Sequence, residues 1–332
     1  MFRRIPLLAV LLCALASAAV ASDAGPAVVY SVGGKFDGSF NEAAYRGAER
    51  FRAETGERYA EFEIASAAQS LQALRSFAQR GHSPIVAIGF THAAALADVA
   101  PEFPETAFVL VDMVVEAPNV RSVVFREQEG SYVVGKLAAM ASKTGTLGFV
   151  GGMDIPIIRK FACGYIQGAR SADPKVKVLV NMTGNTPAAW SNPARGAELT
   201  RSQIEQGADV IIQAAGGTGI GVLQAAADGG ALGIGTDSNQ NGLHPGKVLT
   251  SMRKRVDVAV YENFLAAREG RWTPGVQVLG LAEGGLDWVI DANNRGLITP
   301  AMEAAAEAAA AGIADGTIKV HDAASEGPCP VK

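Results

Sequence analysis

The sequence predicts two doubly wound α/β domains in tandem, and three observations carry that expectation. Short apolar runs alternate with stretches of helical periodicity in a βαβαβα order, which calls for parallel sheets covered on both faces. The same rhythm restarts near Leu147, after a complete first set. About 310 residues remain once the N-terminal segment is set aside, more than a single core usually holds. Two consecutive halves with glycines at their strand ends describe two sheets rather than one long one.

The first strand is expected over 27–32 (AVVYSV), followed by GGKFDGSFN at 33–41. Two glycines release the backbone there, and Ser39 with Glu42 forms an S-x-x-E capping box that starts a helix. Phe40, Ala43, Ala44, Gly47, Ala48 and Phe51 then fall at helical spacing and give that helix a buried face. A strand, a flexible turn and a capped helix bring free backbone N–H groups to the strand's carboxyl end, where open α/β sheets take their ligands. Asp37, Phe40 and Asn41 put a charge, an aromatic face and an amide into that crevice. As alternatives, Phe40 merely opens the apolar stripe and Asp37 merely solvates a loop.

Strands are expected next at 58–64, 85–89, 107–112 and 120–125, with helices at 68–80, 92–99 and 129–141. In the second half, 147–150 is a strand leading through Gly151 and Gly152 into a helix at 157–170. Strands follow at 176–181, 209–213 and 232–235, and helices at 193–206 and 219–227. The segments 248–251 and 276–281 read as extended and 256–267 as helical. An Ala-rich stretch at 300–314 consists of strong helix formers and reads as a structural helix.

The N-terminus bears on compartment. Arg3 and Arg4 precede an apolar run from Ile5 to Val20, and Ala19-Val20-Ala21 offers a small-x-small cleavage site, so residues 1–21 read as a secretory signal peptide. Cys13 sits mid-run behind Leu12, where a lipid-attachment signal needs a small residue, so a free periplasmic protein is expected. A formal charge of −4 with no basic run leaves no electrostatic footprint for nucleic acid. Cys163 and Cys329 survive cleavage; in an oxidising compartment they could pair, and a buried free Cys163 is the alternative.

The catalytic inventory is thin. Four His residues are scattered without metal-ligand spacing, and no C-x2-C pair, G-x-S-x-G elbow or Walker lysine occurs. No catalytic residue, metal site or cofactor is therefore expected. The stretch GGTGIG at 216–221, between a strand and a helix, approximates a dinucleotide fingerprint, but its glycines read G-x-G-x-G rather than G-x-G-x-x-G. Keeping the geometry without the cofactor is more economical. Asp112 ends AFVLVD and Asp237 ends GIGTD, so each half has a carboxylate at a strand end that suits the hydroxyls of a sugar. Each could equally cap a helix; their presence in both halves, alongside Asp37, favours ligand contacts.

Five motifs in order, GGKFDGSFNEAAYRG, FREQEGSYVVG, GFVGGMDIPII, DVIIQAAGGTGIGV and GTDSNQ…VLTSMRKRVD, together resemble the basic membrane protein family of PnrA-like purine-nucleoside receptors. The likeness runs from about Val28 to Asp257 and weakly through the AEGG stretch near residues 281–286. It implies a type I periplasmic binding-protein fold and a receptor, not an enzyme, that hands a nucleoside to an ABC permease. By that resemblance Phe40 supplies one ring against the base and Asn41 a base-facing amide. Trp190, in AAWSNPARG where the family usually has Phe-x-Asp, supplies the second ring, and Asn192 replaces the acid. Asp112, Asp237 and Lys254 match sugar-contacting positions and Gly217 a backbone contact of the glycine loop. The implied division is 26–126 plus 248–280 for the first domain and 127–247 plus 281–332 for the second, in a monomer. Alternative readings are a receptor for a sugar, a riboflavin-like or a furan-like solute. More remotely, an exported nucleoside hydrolase would need clustered carboxylates holding a metal.

Overall fold

The computed structural model describes residues 24–331, so the expected signal peptide and Cys13 lie outside the described residues. Those residues form two six-stranded sheets. The first contains β1 (Ala27–Tyr30), β2 (Ala60–Glu63), β3 (Ile85–Ile88), β4 (Phe108–Val111), β5 (Val120–Phe125) and β11 (Gly275–Leu279), all parallel. The second contains β6 (Thr146–Met153), β7 (Lys177–Gly184), β8 (Val210–Ala214), β9 (Leu232–Asp237), β10 (Val248–Lys254) and β12 (Leu286–Trp288). Only β12 runs antiparallel in that sheet, against β10.

Both sheets have the same order: β2-β1-β3-β4-β5-β11 in one and β7-β6-β8-β9-β10-β12 in the other. The order reverses between β1 and β3, and again between β6 and β8, which marks a switch-point crevice in each lobe. The central strands β1, β3 and β4 are fully buried. They are apolar throughout because helices cover both faces of the sheet.

The helices are α1 (Phe40–Thr55), α2 (Ser70–Gln79), α3 (Ala93–Val99), α4 (Glu127–Ala141), α5 (Pro156–Ala172), α6 (Pro193–Glu205), α7 (Gly219–Asp228), α8 (Val256–Arg268) and α9 (Pro300–Ala314). Helices α4 and α5 press together backbone to backbone. A Cβ added at Gly168 would lie 1.9 Å from the Tyr132 carbonyl oxygen, and one at Gly164 would lie 2.3 Å from that of Gln128. Only glycine fits such an approach.

The chain passes between lobes at Arg126, at Arg255 and through residues 280–285. Backbone bonds tie these passages together, Arg126 N to Leu279 O and Arg255 N to Gly285 O, each 2.9 Å. One expectation is corrected here. Residues 248–254, expected with the first domain, form β10 and pair with β9 of the second sheet. The crossing follows β10 rather than preceding it, because Lys254 must sit at the strand's end, on the floor between the lobes. The following helix α8 does pack on α1 of the first lobe.

Two local expectations also differ. Strand β6 continues through both glycines instead of breaking there, with Gly151 paired to Met182 of β7 and Ala214 of β8. The start of α1 is held by Asp37, not by a Ser39–Glu42 box. Asp37 accepts the N–H groups of Ser39 (2.8 Å), Asn41 (3.0 Å) and Glu42 (3.1 Å), whereas Glu42 reaches back to Gly38 N (3.1 Å). The Ser39 side chain makes no cap bond.

Cys163 on α5 and Cys329 form a disulfide. With it, Gln167 brackets the backbone of His321 from both sides and pins the tail to α5. The bond spans 166 residues of sequence, so replacing both cysteines by serine should lower the unfolding free energy by about 2–5 kcal/mol. Urea denaturation of the double variant checks this; unchanged stability would mean the Gln167–His321 bracket suffices.

Candidate ligand-binding cleft

Between the lobes lies a largely apolar cleft lined by residues of both, the kind of concave site in which small molecules bind. Its walls come from the carboxyl ends of strands on both sides of the two switch points. The first lobe contributes the loop after β1, Gly89 and Phe90 after β3, and Asp112 after β4. The second contributes the α5 residues Ile157, Ile158 and Phe161, then Trp190, Gly216 after β8, and Asp237 and Lys254 at the ends of β9 and β10.

Seven of the eight residues expected from the sequence therefore line one cavity: Asp37, Phe40, Asn41, Asp112, Trp190, Asp237 and Lys254. Gly217 does not; its neighbour Gly216 does. Gly216 has a φ of +55° at the start of a short 3-10 turn over Gly216–Thr218, which turns its backbone to the cleft. Asn41 lines the cavity, but its amide is engaged by backbone. Its Oδ1 accepts from Ser31 N (3.0 Å) and its Nδ2 donates to Ser31 O (3.3 Å) and Gly34 O (3.1 Å). Asn192, which replaces the acid of the family pattern, is the N-cap of α6 and accepts from Arg195 N at 3.1 Å.

Asp112 and Asp237 are the two non-glycine residues with positive φ among the described residues, at 73° and 68°. Such a backbone is costly for a residue with a Cβ, tolerable for Asp, and concentrated at functional sites. Here it turns both strand-end carboxylates into the cleft. Asp112 meets Lys254 Nζ at 2.6 Å, and Asp237 accepts the Ser39 hydroxyl at 2.7 Å, so each carboxylate keeps an oxygen free of those bonds. Burial pushes both carboxyls up to about 6, against the opposing pull of Lys254. Asp37 is also raised by burial, its three backbone N–H bonds offsetting only part of that.

Lys254 is the floor. Its Nζ lies between Asp112 and Glu127 (2.9 Å), with the rings of Phe125 at 5.0 Å, Phe40 at 5.2 Å and Phe161 at 5.8 Å. Burial alone would lower its pKa; the carboxylates of Asp112, Glu127 and Asp237 overcome that and raise it. Glu127 in turn is held below its ordinary range, because Lys254 and Lys160 (2.8 Å) outweigh its burial. Sequence reasoning missed Glu127, whose only signal was its place in FREQEG. It missed Phe90, which lies between the strand expected at 85–89 and the helix expected at 92–99, and Phe161, which falls inside the helix expected at 157–170.

The aromatic wall depends on bare backbone. A Cβ on Gly152 would fall 2.2 Å from Cζ3 of Trp190, so the indole lies directly on this strand residue. Phe90, from the other lobe, meets Trp190 edge-on at 6.4 Å and 67°. Trp190→Ala should weaken ligand binding by about 1–3 kcal/mol if a ring ligand stacks there. Gly152→Ala should lose affinity too by displacing the indole, with the change visible in tryptophan emission. Wild-type affinity in both variants would remove Trp190 from the site.

Two like-ordered α/β lobes, crossed by three chain segments and meeting over a polar-floored cleft, have the type I periplasmic binding-protein fold. Comparison agrees and is more specific. The family model for PnrA-like ABC transporter substrate-binding proteins matches residues 26–301, and the chain belongs to that family. An uncharacterized lipoprotein of Pyrococcus furiosus is 36% identical over 80% of this chain and 70% of its own length. The ABC transporter nucleoside-binding protein BmpA of Lactococcus lactis is 31% identical over 83% of this chain and 84% of its own. The crystal structure of an ABC transporter solute-binding protein from Aeropyrum pernix superposes with a TM-score of 0.81 at 29% identity, covering 90% of this chain and 93% of that one. As a member of this family the chain is a non-enzymatic receptor that takes a small solute and serves an ABC permease.

Proposed function

We propose that the solute is a nucleoside, and specifically a purine nucleoside, held as a neutral molecule between the closed lobes. The observation that carries this reading is the pairing of two strand-end carboxylates, both on left-handed backbone, with aromatic faces from both lobes in one cavity. A base has two π-faces for Phe40 and Trp190, and each stacking contact contributes about 1–3 kcal/mol. A ribose has vicinal hydroxyls for Asp112 and Asp237, and hydrogen bonds to charged groups contribute about 1.5–3 kcal/mol.

Charge supports the same choice. Asp37, Asp112, Asp237 and Glu127 surround a floor with Lys254 and Lys160 as its cations. An anionic ligand would meet surplus negative charge in a desolvated site, whereas a neutral one would not. The nucleoside-binding relative from Lactococcus lactis adds a further argument from similarity. Mass spectrometry of the small molecules released on denaturing the freshly purified protein tests the reading: a purine nucleoside is expected, and a sugar or a flavin would replace it.

We also propose that the receptor is exported. The Pyrococcus relative is named a lipoprotein, which bears against the expectation of an unanchored protein. The Cys163–Cys329 disulfide suits an oxidising compartment. The intact mass of the protein from its native host decides: a lipid-modified mass would assign an anchor.

A further inference from the structure

A second set of contacts joins the lobes beyond the three chain crossings, and it converges on the residue pair that faces the ligand cleft. Ser39 of the first lobe donates its hydroxyl to Asp237 Oδ2 at 2.7 Å, with Thr236 O at 3.1 Å. The Ser39 carbonyl accepts from Ser238 Oγ at 2.7 Å. Gln240 Nε2 donates to Gly38 O at 3.0 Å, and Arg46 donates to Ser238 Oγ. Each of these bonds joins residues 38–46 to residues 236–240.

These side chains are built for that contact. Ser39, Ser238 and Gln240 are at most 2% exposed, so the contact between the lobes is dry. Gln240 is aimed from within its own lobe: its Oε1 accepts from Thr236 N (3.0 Å) and Gln213 Nε2 (2.8 Å), which turns its amide nitrogen outward to Gly38. Asp37 caps α1, so the Ser39 hydroxyl is not needed for the helix. Its one role is across the cleft.

We propose that these two loops form a closure latch, with Ser39 as the positioning residue that couples lobe closure to the ligand through Asp237. One oxygen of Asp237 takes the Ser39 hydroxyl; the other is left for the solute. Fixing the carboxylate from one side preorganises it for the other, and the coupling is reciprocal: solute on Asp237 strengthens the latch, and the latch strengthens solute binding. The latch also holds a share of ligand-free molecules closed. The identity of the solute as a nucleoside rests on the reading above; the latch does not.

The test compares the wild type with Ser39→Ala and, as a second variant, Ser238→Ala. Small-angle scattering of ligand-free protein should show both variants more open. With inosine as the probe, Ser39→Ala should dissociate about tenfold to a hundredfold faster, the scale of one charge-assisted hydrogen bond, with association little changed. The Ser39→Ala/Asp237→Asn double variant should lose little more affinity than Asp237→Asn alone. Unchanged scattering with unchanged dissociation overturns the latch, and so does strict additivity in the double variant. If inosine fails to bind the wild type, the nucleoside reading fails. Scattering then decides the latch alone: a more open Ser39→Ala supports it, and identical curves refute it.

Discussion

Lys254→Met is expected to destabilise the protein by about 3–5 kcal/mol at pH 8, the cost of leaving buried charges without their partner. Methionine keeps the length and the apolar stem but removes the Nζ that sits 2.6 Å from Asp112 and 2.9 Å from Glu127. The rings of Phe40, Phe125 and Phe161 lose their cation as well. Lys160 still neutralises Glu127, so the uncompensated charge falls mainly on Asp112 and Asp237. Both are already raised to about 6 with Lys254 in place, and its loss raises them further. A carboxyl with a raised folded-state pKa contributes stability at low pH and loses it as pH rises through that value. The deficit of the variant should therefore shrink between pH 8 and pH 5. Urea denaturation at both pH values measures this. Equal stability of variant and wild type at pH 8 would mean that the ion cluster is not what closes the floor.

Asp237→Asn should have the opposite sign on stability and the same sign on function. With its folded carboxyl pushed up by burial to about 6 from an ordinary 3.8, ionised Asp237 costs roughly 1–3 kcal/mol in the ligand-free protein at neutral pH. Asparagine has the same shape, carries no charge and accepts left-handed backbone. The variant should therefore melt higher than wild type above about pH 6, and the gain should disappear below about pH 4, where both side chains are neutral. Affinity for the solute should fall at the same time, because an amide accepts a sugar hydroxyl less strongly than a carboxylate does. Stability surrendered for a polar site is a common trade. A variant that melts lower at every pH would show that Asp237 serves the fold rather than the cleft.

Much of this was legible in the sequence because parallel sheets leave a local mark. Runs such as Ile85–Ile88 and Phe108–Val111 are wholly apolar because both their faces are covered, and they read as strands without any structure. Strand ends were legible too, since Asp112 and Asp237 interrupt such runs. What was hidden depends on partners far along the chain. Ser39 and Glu42 match a capping pattern locally, yet the hydroxyl turns to Asp237, 198 residues away. Nothing in VLTSMRK says which sheet takes that strand; that is decided by pairing with β9. Strand β12 is three residues with no periodicity and exists only against β10. Gly151 and Gly152 look like a break, but one of them is the ledge on which Trp190 lies.

The central claim is that the cleft takes a neutral ribonucleoside by its base and its ribose. Calorimetry of the purified, ligand-stripped protein with inosine, guanosine and adenosine, their 2′-deoxy forms and their 5′-monophosphates tests it most directly. The purine ribonucleosides should bind. The deoxy forms should bind more weakly by about 1–3 kcal/mol, the cost of an acceptor left without its hydroxyl in a dry site. The monophosphates should bind more weakly still. Equal or tighter binding of the monophosphates would make the turn at Gly216–Thr218 an anion site and the placement of the carboxylates on ribose wrong, and no heat with any nucleoside would contradict the account outright.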